Sequence, residues 1–169
     1  MLNKLSKKIF NQSMLIEGIA SLDAAKTIVK HDQSLGEMSE SNINALAALC
    51  YIANISPKES YYLLKKGRRS RNFFPMTSSA DTYWMRTALK LEEVNYDWKN
   101  VKITPKNVVD TLDLNKGSKY IGICNKGFVL IINNTIEGPF KGKNVKINDI
   151  YEYRGRRKKG DLWWSMGPI

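Results

Sequence analysis

A helix without a polar face must be covered on every side, and residues 42–53, Asn-Ile-Asn-Ala-Leu-Ala-Ala-Leu-Cys-Tyr-Ile-Ala, spell such a helix. Good helix formers dominate the run. At about 100° per residue, Ile43, Leu46, Ala47, Leu49, Cys50, Ile52 and Ala53 occupy nearly the whole circumference. The run is well short of the roughly 20 residues that cross a bilayer, so its cover has to come from the rest of the chain. With 169 residues, 43% of them hydrophobic and 25% charged, there is enough chain for one core with appendages.

On either side of this helix the local signals are clear. Leu2, Leu5 and Ile9 form one stripe of an amphipathic helix over residues 2–20, with Lys4, Lys7 and Lys8 off the stripe. Its apolar face is small for a membrane surface. Ser21 caps a second helix to about His31, and residues 33–41 read as a loop. After a break at Asn54, Ser56-Pro57-Lys58-Glu59 sets an N-cap, a proline at the first helical position and a glutamate two residues on. That helix should end near Gly67. Ser78 or Ser79 starts another, running to about Glu93 with Trp84, Ala88 and Leu91 on one stripe, and Thr104-Pro105 a short one to about Leu112.

From Lys119 the period changes to that of strands. Residues 120–124 and 128–132 flank Asn125-Lys126-Gly127 as a hairpin, Asn133-Asn134 turns the chain into residues 135–137, and 145–147 and 150–153 add further strands. The fold class is therefore α+β, a helical half around the buried helix followed by an antiparallel β-meander. We expect residues 1–40 to be a helical extension, 41–155 the main domain, and 156–169 a basic tail that bears tryptophans.

Charge restricts the partners. Twenty-seven Lys and Arg against 16 Asp and Glu give +11, a field that attracts nucleic acid, anionic surfaces or acidic proteins. Two clusters stand out. Lys65, Lys66, Arg68, Arg69 and Arg71 span the end of the capped helix and the residues just beyond it, and Arg154, Arg156, Arg157, Lys158 and Lys159 precede Trp163 and Trp164. The first could meet phosphates, and the second adds stacking platforms to a phosphate track. Residues 46–65 also fit a helix-turn-helix, with small Cys50 and Ala53 at the approach and Arg68, Arg69 and Arg71 on phosphates. Tyr61, Tyr62, Leu63 and Leu64 leave its second helix little polar surface for base edges, so backbone binding to DNA or RNA is favoured over sequence readout.

The chain is poor in the side chains that carry chemistry. Cys50 and Cys124 lie in apolar runs and read as buried hydrophobes in a reducing, cytoplasmic setting. His31 is the one histidine, which with two separated cysteines argues against zinc. No Gly-rich loop cradles a phosphate, so no cofactor is expected. No apolar run suits a membrane span, and polar Asn11, Gln12, Glu17 and Asp23 argue against a signal peptide.

The order of parts resembles a compact variety of the papain-like cysteine protease fold found in small bacteriophage and bacterial proteins. The similarity rests on Ala47-Ala48-Leu49-Cys50, the turn at Asn54, the Ser56 helix and Lys66-Gly67-Arg68-Arg69, then Gly117 to Gly122, Gly127-Phe128-Val129 and Ile131 to Asn134. It implies that Asn44 stands at the nucleophile position, behind Ile43 in place of an aspartate, and that Phe128 stands at the general-base position. A carboxamide cannot supply a thiolate and a phenyl ring cannot take a proton. The resemblance thus implies an inactive relative of phage origin in a host cytoplasm. Two readings stand: a non-catalytic basic protein that associates with nucleic acid, or a protease-like scaffold without its dyad that binds a bacterial or phage protein.

Overall fold

In the computed structural model the described residues are 19–66, 72–76, 79–95 and 102–156. The expected N-terminal helix over residues 2–20 lies almost wholly outside them, and the tail beyond Arg156 does so entirely. Two compact units divide between Phe73 and Phe74.

The first unit is helical. Helix α1 (Leu22–Lys30) starts at Ser21, whose side chain accepts from the Ala24 N–H, and buries Ala25 and Val29. A single 3-10 turn (Gln33–Leu35) follows. Helix α2 (Glu40–Ala53) is the expected buried helix, begun two residues earlier by the N-cap Ser39, whose side chain accepts from the Asn42 N–H. Leu46, Leu49 and Cys50 are fully enclosed. Asn54 ends α2 in the left-handed conformation at φ 52°. Ser56 then caps α3 (Pro57–Lys65) through the Glu59 N–H, with Pro57 in the first turn. Because α1 packs against α2, residues assigned to an extension share a unit with the central helix.

The second unit is a five-stranded antiparallel sheet with short helices. Its elements are α4 (Tyr83–Ala88), β1 (Leu91–Glu93), α5 (Val108–Thr111), β2 (Lys119–Cys124), β3 (Gly127–Ile132), β4 (Thr135–Glu137) and β5 (Asp149–Tyr153). The strand order is β1-β5-β2-β3-β4. A meander describes β2 to β4, but β5 returns beside β2, which is Greek-key order. Asn133 and Asn134, both at positive φ, make the two-residue turn whose twist suits a hairpin.

Three expectations fail here for tertiary reasons. The helix to Glu93 stops at Ala88, because Lys90 reverses the chain at φ 45° and Glu92 and Glu93 pair with β5. Strand pairing thus outweighs helical periodicity. The short helix begins at Val108, since Thr104 donates through its N–H and its hydroxyl to Asn107 Oδ1, which turns residues 104–107 before any helix forms. Residues 145–147 form no strand. Ile147 instead fills a core with Ile103, Val108, Tyr120, Val129 and Ile131, held by a backbone bond from its N–H to the Ile103 carbonyl.

Glycine is required where that core meets the sheet. A Cβ at Gly127, where φ is 152°, would lie 2.9 Å from the Phe140 ring. Gly127→Ala is expected to destabilise the protein by about 1–3 kcal/mol. Gly117→Ala has nothing within 4 Å of the added Cβ and should change stability by less than about 0.5 kcal/mol. Urea unfolding of the two variants beside the parent checks the contrast.

Candidate nucleic-acid interface

The α2–α3 pair is joined across the turn at residues 54–56 and locked from inside. Ser60 Oγ donates to the Leu46 carbonyl at 3.1 Å, both groups being buried. Cys50 lies against the same hydroxyl, and burial pushes its thiol up to about 12, the Ser60 contact offsetting part of that. The face of α3 turned to solvent carries Lys58 and Tyr62, with Lys65 and Lys66 half-buried. Lys66 Nζ lies 3.3 Å from Tyr62 Oη and 5.3 Å from the centre of its ring, so lysine and tyrosine form one cationic, aromatic knob. Arg68, Arg69 and Arg71 fall outside the described residues.

Of the second cluster, Arg154 and Arg156 are described. Arg157, Lys158, Lys159, Trp163 and Trp164 lie outside. The Arg154 guanidinium is already engaged: its Nε is 2.7 Å from Glu92 and 2.8 Å from Glu152. Glu152 also accepts from Tyr120 Oη at 3.0 Å, and that hydroxyl accepts from the Asn115 N–H at 2.9 Å. Glu93 and Asp113 line the same cleft of about 200 Å³. Four carboxylates around one arginine leave the neighbourhood negative, so Arg154 is a poor phosphate ligand there. Arg156 is exposed at the end of the described chain.

The positions matched to a protease dyad belong one to each unit. Asn44 is 7% exposed within α2, and its Oδ1 meets no hydrogen-bond partner among the described residues. Ser39 caps the helix. Its neighbour Asn42 is the one put to use, its Oδ1 accepting from the Phe73 N–H at 3.2 Å. Phe128 is core, edge-on to Phe74 with ring centres 5.3 Å apart. Cys124 donates its thiol to the Gly127 carbonyl at 3.1 Å, and burial raises its pKa. His31 caps α1 at its C-terminus through its own backbone N–H. Among the described residues no group of three or more His, Cys, Asp or Glu could hold a metal ion, and no helix is long and apolar enough to cross a membrane.

A set of cations that sequence reading left unremarked gathers at one end of the sheet. The β2–β3 turn carries exposed Lys126, the segment before α5 carries Lys102 and Lys106, and the connection from β4 to β5 carries Lys141, Lys143 and Lys146, all exposed. Backbone bonds join these three segments: the Ile147 N–H to the Ile103 carbonyl at 2.9 Å and the Asn148 N–H to the Ile123 carbonyl at 2.8 Å. The Asn148 side chain also donates to Asn125 Oδ1 at 3.1 Å. Nothing local in the sequence marks the set, because each segment contributes one to three lysines and the sheet alone makes them neighbours.

No protein-family model, curated protein or solved structure matches the chain.

Two outcomes follow for this part of the molecule. Asn42→Ala strands the buried Phe73 N–H and should cost about 1–3 kcal/mol, whereas Asn44→Ala removes an unpartnered buried oxygen and should cost less than about 1 kcal/mol. Paired denaturant melts measure the difference. Cys50 also ties stability to alkaline pH. Its thiol pKa rises on folding from 9.0 to about 12, so its contribution is complete below about pH 9 and is lost as pH rises toward about 12. The lost stability is at most about 1.4 kcal/mol per pH unit. Stability measured from pH 7 to 10.5 should fall less steeply in Cys50→Ala than in the parent.

Proposed function

We propose that this chain is a non-catalytic basic protein that associates with nucleic acid, DNA or RNA, through the phosphate backbone. The observation that carries the proposal is where the charge lies. In the described part of the first unit five Lys and Arg are matched by five Asp and Glu, and seven of the eleven surplus positive charges fall on residues outside the described ones. Those residues include Arg68, Arg69, Arg71, Arg157, Lys158 and Lys159. The surplus is thus concentrated in short runs rather than spread as a solvated coat, which suits neutralisation of closely spaced phosphates. Lys65 at the end of α3 and its C-cap Lys66 adjoin the first run, and Arg156 adjoins the second. Trp163 and Trp164 would add stacking against bases.

A second reading is supported by the helix pair and the hairpin. A buried helix, a left-handed turn, a capped second helix and a later antiparallel hairpin are similar in kind to the compact papain-like fold, with Asn44 and Phe128 at the dyad positions. On that reading the chain is a phage-derived scaffold without catalytic residues that binds a bacterial or phage protein. It predicts a partner retained in a pull-down after nuclease digestion.

Fluorescence anisotropy with mixed-sequence DNA and RNA tests the first reading. The observed binding constant should fall linearly on a log–log plot against salt, with a slope steeper than about −4, as expected for five or more neutralised phosphates. Absence of binding to both duplex and single strands at about 50 mM salt would remove it.

A further inference from the structure

The six lysines at one end of the sheet have a distinctive setting. Residues 102–107, 125–127 and 138–148 hold six lysines and no aspartate or glutamate. Flanking Asp149 is half-buried, with burial raising its carboxyl pKa and Arg86 opposing that, and flanking Glu137 is partly buried in β4. The backbone under the lysines is fixed. Asn107 donates to the Lys102 carbonyl at 3.0 Å while accepting from the Thr104 N–H at 2.7 Å, and the Lys143 N–H reaches the Phe140 carbonyl at 2.9 Å. Phe140 in turn seats on Gly127. A set of cations held by such a frame loses little backbone entropy on binding.

We propose that this end of the second unit is a phosphate-binding face for double-helical nucleic acid, an assignment that rests on the nucleic-acid reading above and gives it a location. Three features select the ligand. Lysine is a point charge suited to phosphate contacts rather than bidentate reading of bases. Phe140, the one aromatic residue in the three segments, is partly buried and packs against the core and over Gly127, so the described residues of this face offer little free ring surface on which unpaired bases could stack. The cations sit on three separate turns, which suits the regular, two-stranded array of phosphates on a duplex more than one flexible strand.

The test uses the full chain and duplex DNA and duplex RNA of about 20 base pairs, with a single strand of equal length, titrated between about 50 and 200 mM salt. Lys126→Gln, Lys141→Gln and Lys143→Gln combined should make the log–log salt slope shallower by about 2 to 3 and weaken duplex binding at least about tenfold at the lower salt. The corresponding triple Lys→Arg variant should keep the parent slope. Lys30→Gln, on α1 of the first unit, should leave it unchanged. Melting temperatures equal to the parent's establish that the variants fold, and Lys102→Gln, Lys106→Gln and Lys146→Gln combined provide a second set should the first unfold. An unchanged slope in the neutralised variants while the intact chain still binds duplex overturns the location and leaves the nucleic-acid reading standing. Tenfold preference for the single strand overturns the duplex assignment. Failure of the intact chain to bind any of the three overturns both.

Discussion

Burial of α2 from Asn42 to Ala53, relieved only at partly buried Ile43 and Tyr51, is the constraint on which the helical unit turns. Such a helix satisfies its own backbone through the middle, but its ends and any polar side chain on it must find partners within the protein. The unit meets this with a few small polar groups. Ser39 takes the Asn42 N–H, Asn54 ends the helix in the left-handed region, and Ser60 approaches closely enough to bond the Leu46 carbonyl. Asn42 then fastens the Phe73 backbone, and Phe73 packs edge-on to Tyr61 of α3 at 5.5 Å. These contacts tie α2, α3 and the residues before the unit boundary together. Asn44 is the exception, a buried acceptor without a partner among the described residues, and it marks a place where the helix is not optimised for stability.

A different constraint governs the second unit. Strand β2 pairs on both edges and buries both faces, so its neighbours must approach closely from either side. Gly122 is where this is tightest: an added Cβ would stand 3.2 Å from the Ile147 side chain. The irregular residues 102–107 and 138–148 are thereby part of the core wall rather than loose connections. Ile103 and Ile147 are buried and Phe140 packs against them partly buried, while the lysines of the same segments stay in solvent. Packing of the sheet face and presentation of charge are thus consequences of one arrangement.

The parts of this fold that are legible in the sequence are those decided within four residues. Ser21 and Ser56 cap the helices expected of them, Pro57 enters the first turn, and the paired asparagines make their hairpin. What could not be read depends on contacts distant in the chain. Leu91 continues a helical stripe by spacing, yet it lies in a strand opposite Tyr153. Residues 145–147 alternate like a strand, yet Ile147 answers to Ile103. Arg154 belongs to a basic run by sequence, and the strand register places Glu92 and Glu152 beside it. The candidate interface shows the same division: Lys65 and Lys66 are visible as a run, whereas the six lysines of the sheet end come from segments separated by helix and strand.

Charge in this molecule is therefore better described by place than by total. A surplus of eleven would repel itself if spread evenly and would favour no surface over another. The first unit cancels its described charges, and the cleft around Arg154 is negative. Those two facts leave the lysine-bearing end of the sheet as the largest group of described cations with no carboxylate in the same segments. Carboxylates near β1 and lysines on the connecting segments give the second unit distinct acidic and basic regions. A polyanion approaching such a unit would be turned as well as attracted, since the acidic cleft repels what the lysines draw in. Orientation by opposed charges needs no base contact and no deep groove, which agrees with a chain whose exposed aromatic residue on α3, Tyr62, is already taken up by Lys66.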